Sequence, residues 1–274
     1  MSDSIKWRQF WEDNSKENVP DFKLDRGMSP RDQEIENLSE RELIDFIEPG
    51  QQETLLDAGC GTGSNILSLH SRVRNIIGID FAPGSLERCQ NKIQAHQIQN
   101  VRVCLAGVTA IPLPDCSVNR ILCLSVLQYL DDEEVRQALR EFVRVLGPGG
   151  VVILHVKNSS SLYWSTLRVA KKLKRLFGWT TRVYYLRSFR WYVNQLASLN
   201  CRVLEYRSFN LLTLDYMPRR LTYFLQRSEL RHHTGWFFRI PFVRRHGADL
   251  KIKAVVGDRR LGCSETNASA SIGT

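Results

Sequence analysis

Three glycines stand at every second position in LLDAGCGTGSN, residues 55–65, at the end of an apolar run. Glycines placed there let the backbone turn sharply and let a ligand approach the main chain. Asp57 ends the apolar run, so its carboxylate is expected at the carboxyl end of a strand, where open α/β sheets bind ligands. Asp80 ends the next apolar run. An acid there either accepts hydrogen bonds from the ribose of an adenosine-containing cofactor or simply caps the following turn.

The glycines alone do not name the cofactor. Gly59, Gly61 and Gly63 give the pattern GxGxG, whereas the dinucleotide fingerprint requires Gly or Ala at the next position, which is Ser64 in this chain. The sequence also contains no Tyr-x-x-x-Lys pair. Both observations argue against an NAD(P)-dependent oxidoreductase, which stays open as an alternative.

Strand and helix patterns alternate along the chain at a spacing that is typical of βαβ units. Strands are predicted at 53–59, 75–80, 101–107, the beginning of 118–130, 151–156, 201–209 and 248–256. Helices are predicted at 64–72, 83–97, 132–146 and 188–200, and from Ser39 to Pro49-Gly50 with Glu42 completing a capping box. The predicted fold class is α/β: a doubly wound, Rossmann-like, mostly parallel seven-stranded sheet with helices on both faces.

Four stretches together resemble a known family: LLDAGCGTG, IIGIDFAPGSLERC, IPLPDCSVNRILCLSVLQYL and FVRVLGPGGVVIL. They are similar to the class I S-adenosylmethionine (SAM)-dependent methyltransferases, in particular the branch that includes the ubiquinone and menaquinone methyltransferases. The resemblance covers residues 39–157 and, less clearly, 188–256. It implies an enzyme that uses SAM as its cofactor and a final strand that runs antiparallel to the others.

The resemblance also implies a role for each matching residue. The amino-acid end of SAM would lie against Asp57 and the loop formed by Gly59, Cys60, Gly61 and Gly63. Asp80 would accept the ribose hydroxyls, Phe81 would pack beside the adenine, and Leu124 and Ser125 would line the methionine portion. Gly147 to Gly150 would form a structural turn into the fifth strand.

Two positions depart from the family pattern. The family usually has an acid that contacts the adenine amino group, and the matching position here is Gly107. Only backbone groups near Gly107 and Val108 are then expected to contact the adenine, which lowers the expected affinity for SAM. The family also favours Asp where this chain has Asn119. The first departure keeps open a catalytically inactive binding module as a further alternative.

The sequence contains few candidates for a general base, which methyl transfer needs only when the nucleophile must lose a proton. His155 lies in the fifth strand and titrates near neutral pH, although a histidine in an apolar strand is also a common core residue. Tyr129 follows the fourth strand and could orient a substrate. Family members often carry His where this chain has Gln128.

No metal site is predicted. The sequence contains seven cysteines without a CxxC pair, and the adjacent His232 and His233 have no HExxH pattern. The odd number of cysteines argues against a disulfide framework and favours a reducing cytoplasm. The N-terminus has no apolar core of a secretory signal, and no run is long enough to span a membrane.

The charge is divided unevenly, because residues 1–150 hold 16 Lys+Arg and 23 Asp+Glu whereas residues 151–274 hold 22 and 6. A basic amphipathic helix is predicted within 161–177, and arginines alternate with aromatic residues in 210–247. The helix could close over its own domain or lie on an anionic membrane surface. Nucleic acid is the less favoured partner, because no RNA-binding module accompanies these residues.

The predicted function is therefore SAM-dependent methyl transfer to a small-molecule or lipid-linked acceptor that bears phosphate or carboxylate. The expected location is the cytoplasm, where the helix within 161–177 could also contact a membrane surface. The predicted parts are an N-terminal lid segment (1–38), a SAM-binding α/β core (39–157), a basic helical insertion (158–187), the completion of the core (188–256) with a substrate insertion (210–247), and a disordered tail (257–274).

Overall fold

The computed structural model describes residues 3–16, 33–161, 163–165, 184–209 and 246–257. Seven strands form one sheet: β1 Thr54–Ala58, β2 Asn75–Asp80, β3 Val101–Leu105, β4 Val118–Leu124, β5 Leu146–Lys157, β6 Cys201–Phe209 and β7 Asp249–Val256. The helices are α1 Asp3–Lys16, α2 Gln33–Ile47, α3 Ser64–Leu69, α4 Pro83–Ala95, α5 Asp132–Val145 and α6 Phe189–Ser198, with 3-10 turns at His70–Arg72 and Leu127–Tyr129.

The strand order across the sheet is β3-β2-β1-β4-β5-β7-β6. Strands β1 to β5 pair in parallel, whereas β7 runs antiparallel to both β5 and β6. This arrangement confirms the predicted Rossmann-like sheet and its antiparallel final strand. The chain order reverses between β1 and β4, and such a switch point leaves a crevice for ligands at the carboxyl ends of the strands.

Two apolar layers cover the sheet. One layer joins α5 and α6 to the sheet through Phe142 and Tyr192, and the other joins α2, α3 and α4 through Phe46. Helix α5 begins with a complete capping box, in which the Asp131 side chain accepts from the backbone of Glu134 and Glu134 accepts from the backbone of Asp131. Both layers consist of side chains at helical or strand spacing, so burial of apolar surface stabilises the sheet that carries the site.

Helix α2 differs from its prediction at the N-terminus. It begins at Gln33 rather than at Ser39, although it ends at Ile47, just before the predicted stop. Glu42 therefore lies inside the helix and does not close a capping box. Its side chain is almost fully buried and pairs with Lys251 and Arg207 on the neighbouring strands. The Glu42 carboxylate therefore forms long-range ion pairs instead of the local capping hydrogen bond that the sequence predicts.

The turn at Gly147 to Gly150 lies within β5 and interrupts its pairing with β4. Gly149 has a φ of +71°, and a Cβ on Gly150 would lie 2.8 Å from the carbonyl oxygen of Gly147. This agrees with a structural role for the turn. Asn119 lies opposite it, and its side-chain oxygen accepts from the backbone of Thr54 at 2.8 Å. Asn119 thus joins β4 to β1 at the edge of the sheet opposite the predicted site.

Within the described ranges, no helix is long and apolar enough to cross a membrane. Five of the described cysteines are free thiols, whereas Cys116 is disulfide-bonded, so a disulfide forms at this position although the sequence predicts no disulfide framework. Most of the predicted basic insertion, the segment 210–245 with His232 and His233, and the tail from 258 lie outside the described residues.

Candidate functional site

The loop between β1 and α3 has the backbone shape that the glycines predict. Gly59, Gly61 and Gly63 have φ values of +85°, +55° and +86°, a region that favours glycine. The backbone N–H groups of Gly59 and Cys60 both donate to the carbonyl oxygen of Ile79 in β2. The loop therefore turns back over the carboxyl ends of β1 and β2.

Two of the glycines also lie where no side chain fits. A Cβ on Gly59 would lie 2.3 Å from Cγ2 of Val126, and a Cβ on Gly63 would lie 2.6 Å from Sγ of Cys89. Both distances are far below van der Waals contact. The loop is thus pressed against the end of β4 on one side and against α4 on the other, which fixes its position over the sheet.

Asp80 holds this loop from the next strand. One carboxylate oxygen accepts from the backbone N–H of Gly61 at 3.0 Å, and the other accepts from the N–H of Ala82 at 2.9 Å. Each carboxylate oxygen can accept more than one hydrogen bond, so Asp80 can still receive ribose hydroxyls. Phe81 follows directly in the turn to α4 and is half-buried. Asp80 therefore caps the turn and faces the glycine loop, whereas its contact with a ribose stays a prediction.

Asp57 lies at the end of β1 beneath the same loop and is only 1% exposed. Asn65, in the first turn of α3, donates to its Oδ2 at 3.5 Å.

Sequence reasoning missed a further contact of the glycine loop, in which Nζ of Lys92 donates to both the carbonyl and the hydroxyl of the buried Thr62, each at 2.9 Å. No motif marks Lys92, because its effect depends on α4 lying beside the loop.

Cys60 occupies the middle of the glycine loop but is not a reactive thiol. Its hydrogen bond to Cys89 and its burial hold its pKa well above the usual range. The pKa of Cys123, within β4, is raised by burial as well. Both side chains thus act as small apolar groups under the site.

The segment after β3 carries Gly107 and Val108 to the same edge. The backbone N–H of Ala106 donates to the carbonyl of Asp80 at 3.0 Å, which ties the segment to the cofactor side of the sheet. A Cβ on Gly107 would meet only Oγ1 of Thr109, at 3.9 Å. Space for a side chain therefore exists at the position where related proteins carry an acid.

A latch from α5 holds the continuation of this segment. Glu141 accepts from the backbone N–H of Ile111 at 2.8 Å, and Arg144 donates to the carbonyl oxygens of Ile111 and Leu113. The hydrogen bond from Arg144 lowers the pKa of Glu141, so the pair is charged at neutral pH. The latch positions the loop between β3 and β4 without touching the site itself.

Ser125, His155 and Asp249 form a polar chain on the other half of the edge. The Ser125 hydroxyl lies 3.0 Å from Nδ1 of His155, and Nε2 of His155 lies 3.8 Å from Oδ1 of Asp249. Asp249 also accepts from Lys157 at 2.6 Å. The structure thus places the predicted base candidate His155 against Ser125, which sequence reasoning had assigned to cofactor contacts alone, and it adds Asp249, which no motif marks.

An aromatic cluster borders the same region. Trp7 of α1 packs against Tyr129 and stacks on Tyr184, with ring centroids 4.6 and 5.3 Å apart. Trp164 meets Tyr184 edge to face at 5.5 Å, and its indole N–H donates to the carbonyl of Ala248. Tyr129 is therefore part of a packed aromatic wall that joins the N-terminal helix to the end of β4.

Gln128, beside Tyr129, is 2% exposed, and its Oε1 has no hydrogen-bond partner in the part of the chain that the structure describes. A buried polar atom without a partner is costly, so such atoms often meet a ligand. The same described ranges hold no group of three or more His, Cys, Asp or Glu side chains that could bind a metal ion.

The described residues suit SAM. The glycines leave an open backbone cradle, Asp80 retains acceptor capacity for a diol, and the space beside Gly107 can take an adenine edge. Asp57, Asp80 and the loop from Gly59 to Gly63 would hold it, with Leu124 and Ser125 at the neighbouring strand end. The individual roles of these residues stay predictions.

Comparison with known proteins points to the same chemistry. Residues 55–150 match a family model described as a methyltransferase domain. The chain is 34% identical to malonyl-[acyl-carrier protein] O-methyltransferase of Serratia marcescens over 114 residues, which are 42% of this chain and 41% of that protein. It is 30% identical to carboxy-S-adenosyl-L-methionine synthase of Escherichia coli over 119 residues, 42% of this chain and 47% of that protein. The chain thus spans less than half the length of these relatives.

Solved structures with the same fold cover more of the chain. The structure of phosphoethanolamine N-methyltransferase 1 from Haemonchus contortus, bound to phosphoethanolamine and S-adenosylhomocysteine, superimposes with a TM-score of 0.65 at 17% identity. The superposition covers 96% of this chain and 52% of that one. At this identity the likeness establishes the fold alone.

Proposed function

Because the chain belongs to the class I SAM-dependent methyltransferase superfamily, whose cofactor is SAM, we propose that it transfers the methyl group of SAM to a small-molecule or lipid-linked, anionic acceptor. The observation that carries the proposal is the contact of Asp80 with the loop. The Asp80 carboxylate accepts hydrogen bonds from the backbone of Gly61 and Ala82. An acid suited to accept a diol, at the end of β2, thus faces the open glycine loop that follows the adjacent strand β1.

When bound, SAM supplies a methyl group on a positively charged sulfur, and the protein's own residues align the acceptor with it. The Gly59–Gly63 loop and Asp57 fix one end, and the segment at Gly107 and Val108 borders the other. Helix α1 covers this edge, because a Cβ on Gly84 would lie 2.6 Å from the Ser15 carbonyl oxygen. Exclusion of water by α1 favours transfer to the acceptor over side reactions.

The anionic acceptor is supported by charge and by the relatives. Outside the described residues the sequence is strongly basic, with six Lys+Arg and no acid in 166–183. Two related proteins are named for acceptors that carry an acidic group, malonyl-[acyl-carrier protein] and phosphoethanolamine. The aromatic wall of Trp7, Tyr129 and Tyr184 supplies an apolar border for the rest of such a molecule.

The first experiment is calorimetric titration of the full chain with S-adenosylhomocysteine, with NAD as the control. We expect micromolar binding of S-adenosylhomocysteine and none of NAD. Binding of NAD instead would support the oxidoreductase alternative and contradict the proposal. Binding without transfer of a labelled methyl group to any fraction of a cell extract would support the inactive binding module.

The lipid-linked form of the proposal predicts membrane contact through 161–177. Only the beginning of this segment is described, where Trp164 is buried against the fold. Flotation with vesicles tests the remainder, and we expect binding to phosphatidylglycerol vesicles but not to phosphatidylcholine vesicles. Replacement of Lys171, Lys172 and Lys174 by Gln should abolish flotation, whereas unchanged flotation would exclude this segment as the contact.

A further inference from the structure

Building on the proposed methyltransferase function, we propose that His155 is the general base of the reaction, that it acts through the Ser125 hydroxyl, and that the acceptor is methylated on a hydroxyl group. A carboxylate is already ionised at neutral pH and needs no base, because its pKa is about 4. A hydroxyl group loses its proton only as the new bond forms, so a positioned base accelerates its methylation.

The polar chain lies on the same edge and face of the sheet as the cofactor loop. Asp57 pairs with Leu122 of β4, Leu122 pairs with Ile153 of β5, and His155 follows two residues further along β5. Residues two apart in a strand share a face, so Asp57 and His155 point to the same side. Two strand spacings of about 4.8 Å and a two-residue rise of about 6.6 Å separate their Cα atoms by about 12 Å, a distance that a small acceptor and a methyl donor can bridge.

Ser125 is held in place by its backbone. It is not a glycine, yet its φ is +61°, a conformation that favours glycine and strains any other residue. Its N–H donates to the carbonyl of His155 at 2.9 Å, which fixes the hydroxyl beside the imidazole of the same residue. Val126, the next residue, packs against Gly59, so this strained turn also touches the cofactor loop. Strain kept at a ligand-binding edge is an indication of function.

The partners of His155 set the direction of proton transfer. If Nδ1 accepts from the Ser125 hydroxyl, the remaining proton is on Nε2, which faces the Asp249 carboxylate at 3.8 Å. That distance is too long for a hydrogen bond but close enough to stabilise an imidazolium by charge. Lys157 donates to Asp249, and Asp249 is only 5% exposed.

The other charged groups near His155 are already engaged. Lys251 pairs with His155 in register on β7, and its ammonium group turns to Glu42 of α2 and lies above the ring of Phe209. Burial lowers the pKa of Lys251, and Glu42 opposes this effect. Within the part of the chain that the structure describes, the polar groups that face the imidazole are Ser125, Asp249, Lys157 and Lys251 with its partner Glu42.

The acceptor oxygen forms its bond to the methyl carbon as the methyl–sulfur bond breaks, and the sulfur keeps the electron pair. The acceptor proton passes to Oγ of Ser125 while the Ser125 proton passes to Nδ1 of His155. The resulting imidazolium faces Asp249 and afterwards releases the proton to solvent. Ser125 and His155 are the catalytic residues of this step, and Asp249 is a positioning residue.

The first test is independent of turnover. Histidine labelled with ¹⁵N is incorporated into the full chain, the protein is saturated with S-adenosylhomocysteine, and long-range ¹H–¹⁵N spectra are recorded between about pH 5 and pH 9, around the usual His pKa. His155→Gln identifies the signal. We expect the proton on Nε2, and we expect Asp249→Asn to lower the His155 pKa by roughly one unit. A proton on Nδ1, or a pKa that Asp249→Asn leaves unchanged, would overturn the proposal.

The second test measures transfer of a labelled methyl group to matched probes: 4-octylphenol, octylamine and octanoate. We expect methylation of the phenol in preference to the others. Ser125→Ala and His155→Gln should lower kcat on it by about 10²- to 10⁴-fold, the usual contribution of a general base. Preferred methylation of octanoate or octylamine, or equal turnover by His155→Gln, would contradict a base-dependent hydroxyl acceptor.

Two controls separate this proposal from the proposed function. Asp115→Asn removes an exposed carboxylate that pairs with Arg144 at the opposite edge of the sheet, and it should change neither the His155 pKa nor turnover. His155→Gln should retain affinity for S-adenosylhomocysteine. A wild-type chain that fails to bind S-adenosylhomocysteine would contradict the methyltransferase function itself rather than the role of His155.

Discussion

The two halves of the sheet's carboxyl edge differ in whether main-chain groups or side chains form them. The cofactor half, over β1 and β2, consists of main chain: left-handed glycines, backbone N–H groups and one carboxylate that accepts from them. The other half, over β4, β5 and β7, where we propose that the acceptor binds, is called the acceptor half. It consists of side chains, which form the polar chain from Ser125 to Asp249 and the aromatic wall around Tyr129.

This difference predicts different responses to substitution. A backbone cradle has few tolerated changes, because an added side chain displaces the loop as a whole. A wall of side chains can be altered one residue at a time while the strands below it stay in place. The same fold can therefore keep its cofactor and change its acceptor, which is why the fold alone does not name the acceptor.

The largest effect is expected at Gly59. Gly59→Ala places a Cβ 2.3 Å from Val126 and forces a side chain into a φ of +85°, so we expect loss of S-adenosylhomocysteine binding and a lower free energy of unfolding. Calorimetry and urea unfolding measure the two quantities.

Gly149→Ala is the matched control, because Gly149 also has a positive φ but its Cβ would meet nothing within 4 Å. It should cost only the conformational penalty of about 1 kcal/mol and leave ligand affinity unchanged. Equal effects of the two substitutions would show that the close packing of the glycine loop does not matter.

The next effect is expected at Asp80. Asp80→Asn keeps the size of the side chain and one acceptor oxygen but removes the charge. We expect calorimetry to show affinity for S-adenosylhomocysteine about 10- to 100-fold lower, since hydrogen bonds to a charged group contribute about 1.5–3 kcal/mol. Asp45→Asn, on the exposed side of α2, is the control and should have no effect. Unchanged affinity of Asp80→Asn would remove Asp80 from the site.

The cofactor half could be predicted from sequence because its parts lie close together along the chain. Asp80 and Gly61 are separated by 19 positions, and glycine, strand and turn patterns report on such local geometry. The mostly parallel sheet followed from the same alternation, and the antiparallel β7 followed from the resemblance.

The acceptor half could not be predicted in the same way. Lys157 and Asp249 are separated by 92 positions, and Trp7 meets Tyr184 only because α1 folds back over the edge. No local pattern records such contacts. Glu42 gives a second example of a long-range contact that no local pattern records. The capping-box spacing is present in the sequence, but the Glu42 carboxylate pairs with Lys251 and Arg207 instead.

A gain of affinity is expected at Gly107. Gly107→Asp introduces the acid that the family usually has, into space where a Cβ meets only Thr109 at 3.9 Å. One added hydrogen bond to the adenine amino group should raise affinity for S-adenosylhomocysteine by up to about tenfold. Gly107→Ala separates the backbone effect from that of the carboxylate, and calorimetry should find its affinity unchanged. A loss of affinity in Gly107→Asp would place the adenine elsewhere.

The smallest effect is expected at the latch between α5 and the loop after β3. The hydrogen bond from Arg144 lowers the pKa of Glu141 below 4.5, so the folded state binds its proton less readily than the unfolded state. The stabilisation is therefore present above about pH 4.5 and is lost as the pH falls through the folded-state pKa. Glu141→Gln should lower the urea midpoint at pH 7 and flatten its fall in acid. Glu133→Gln is the exposed control, because Glu133 pairs with Arg140 on the surface of α5 and should change the midpoint less.

Since Glu141 positions the loop only from a distance, Glu141→Gln should weaken S-adenosylhomocysteine binding by no more than a few fold. A loss as large as that of Asp80→Asn would mean that the backbone cradle extends beyond β1 and β2 into this loop.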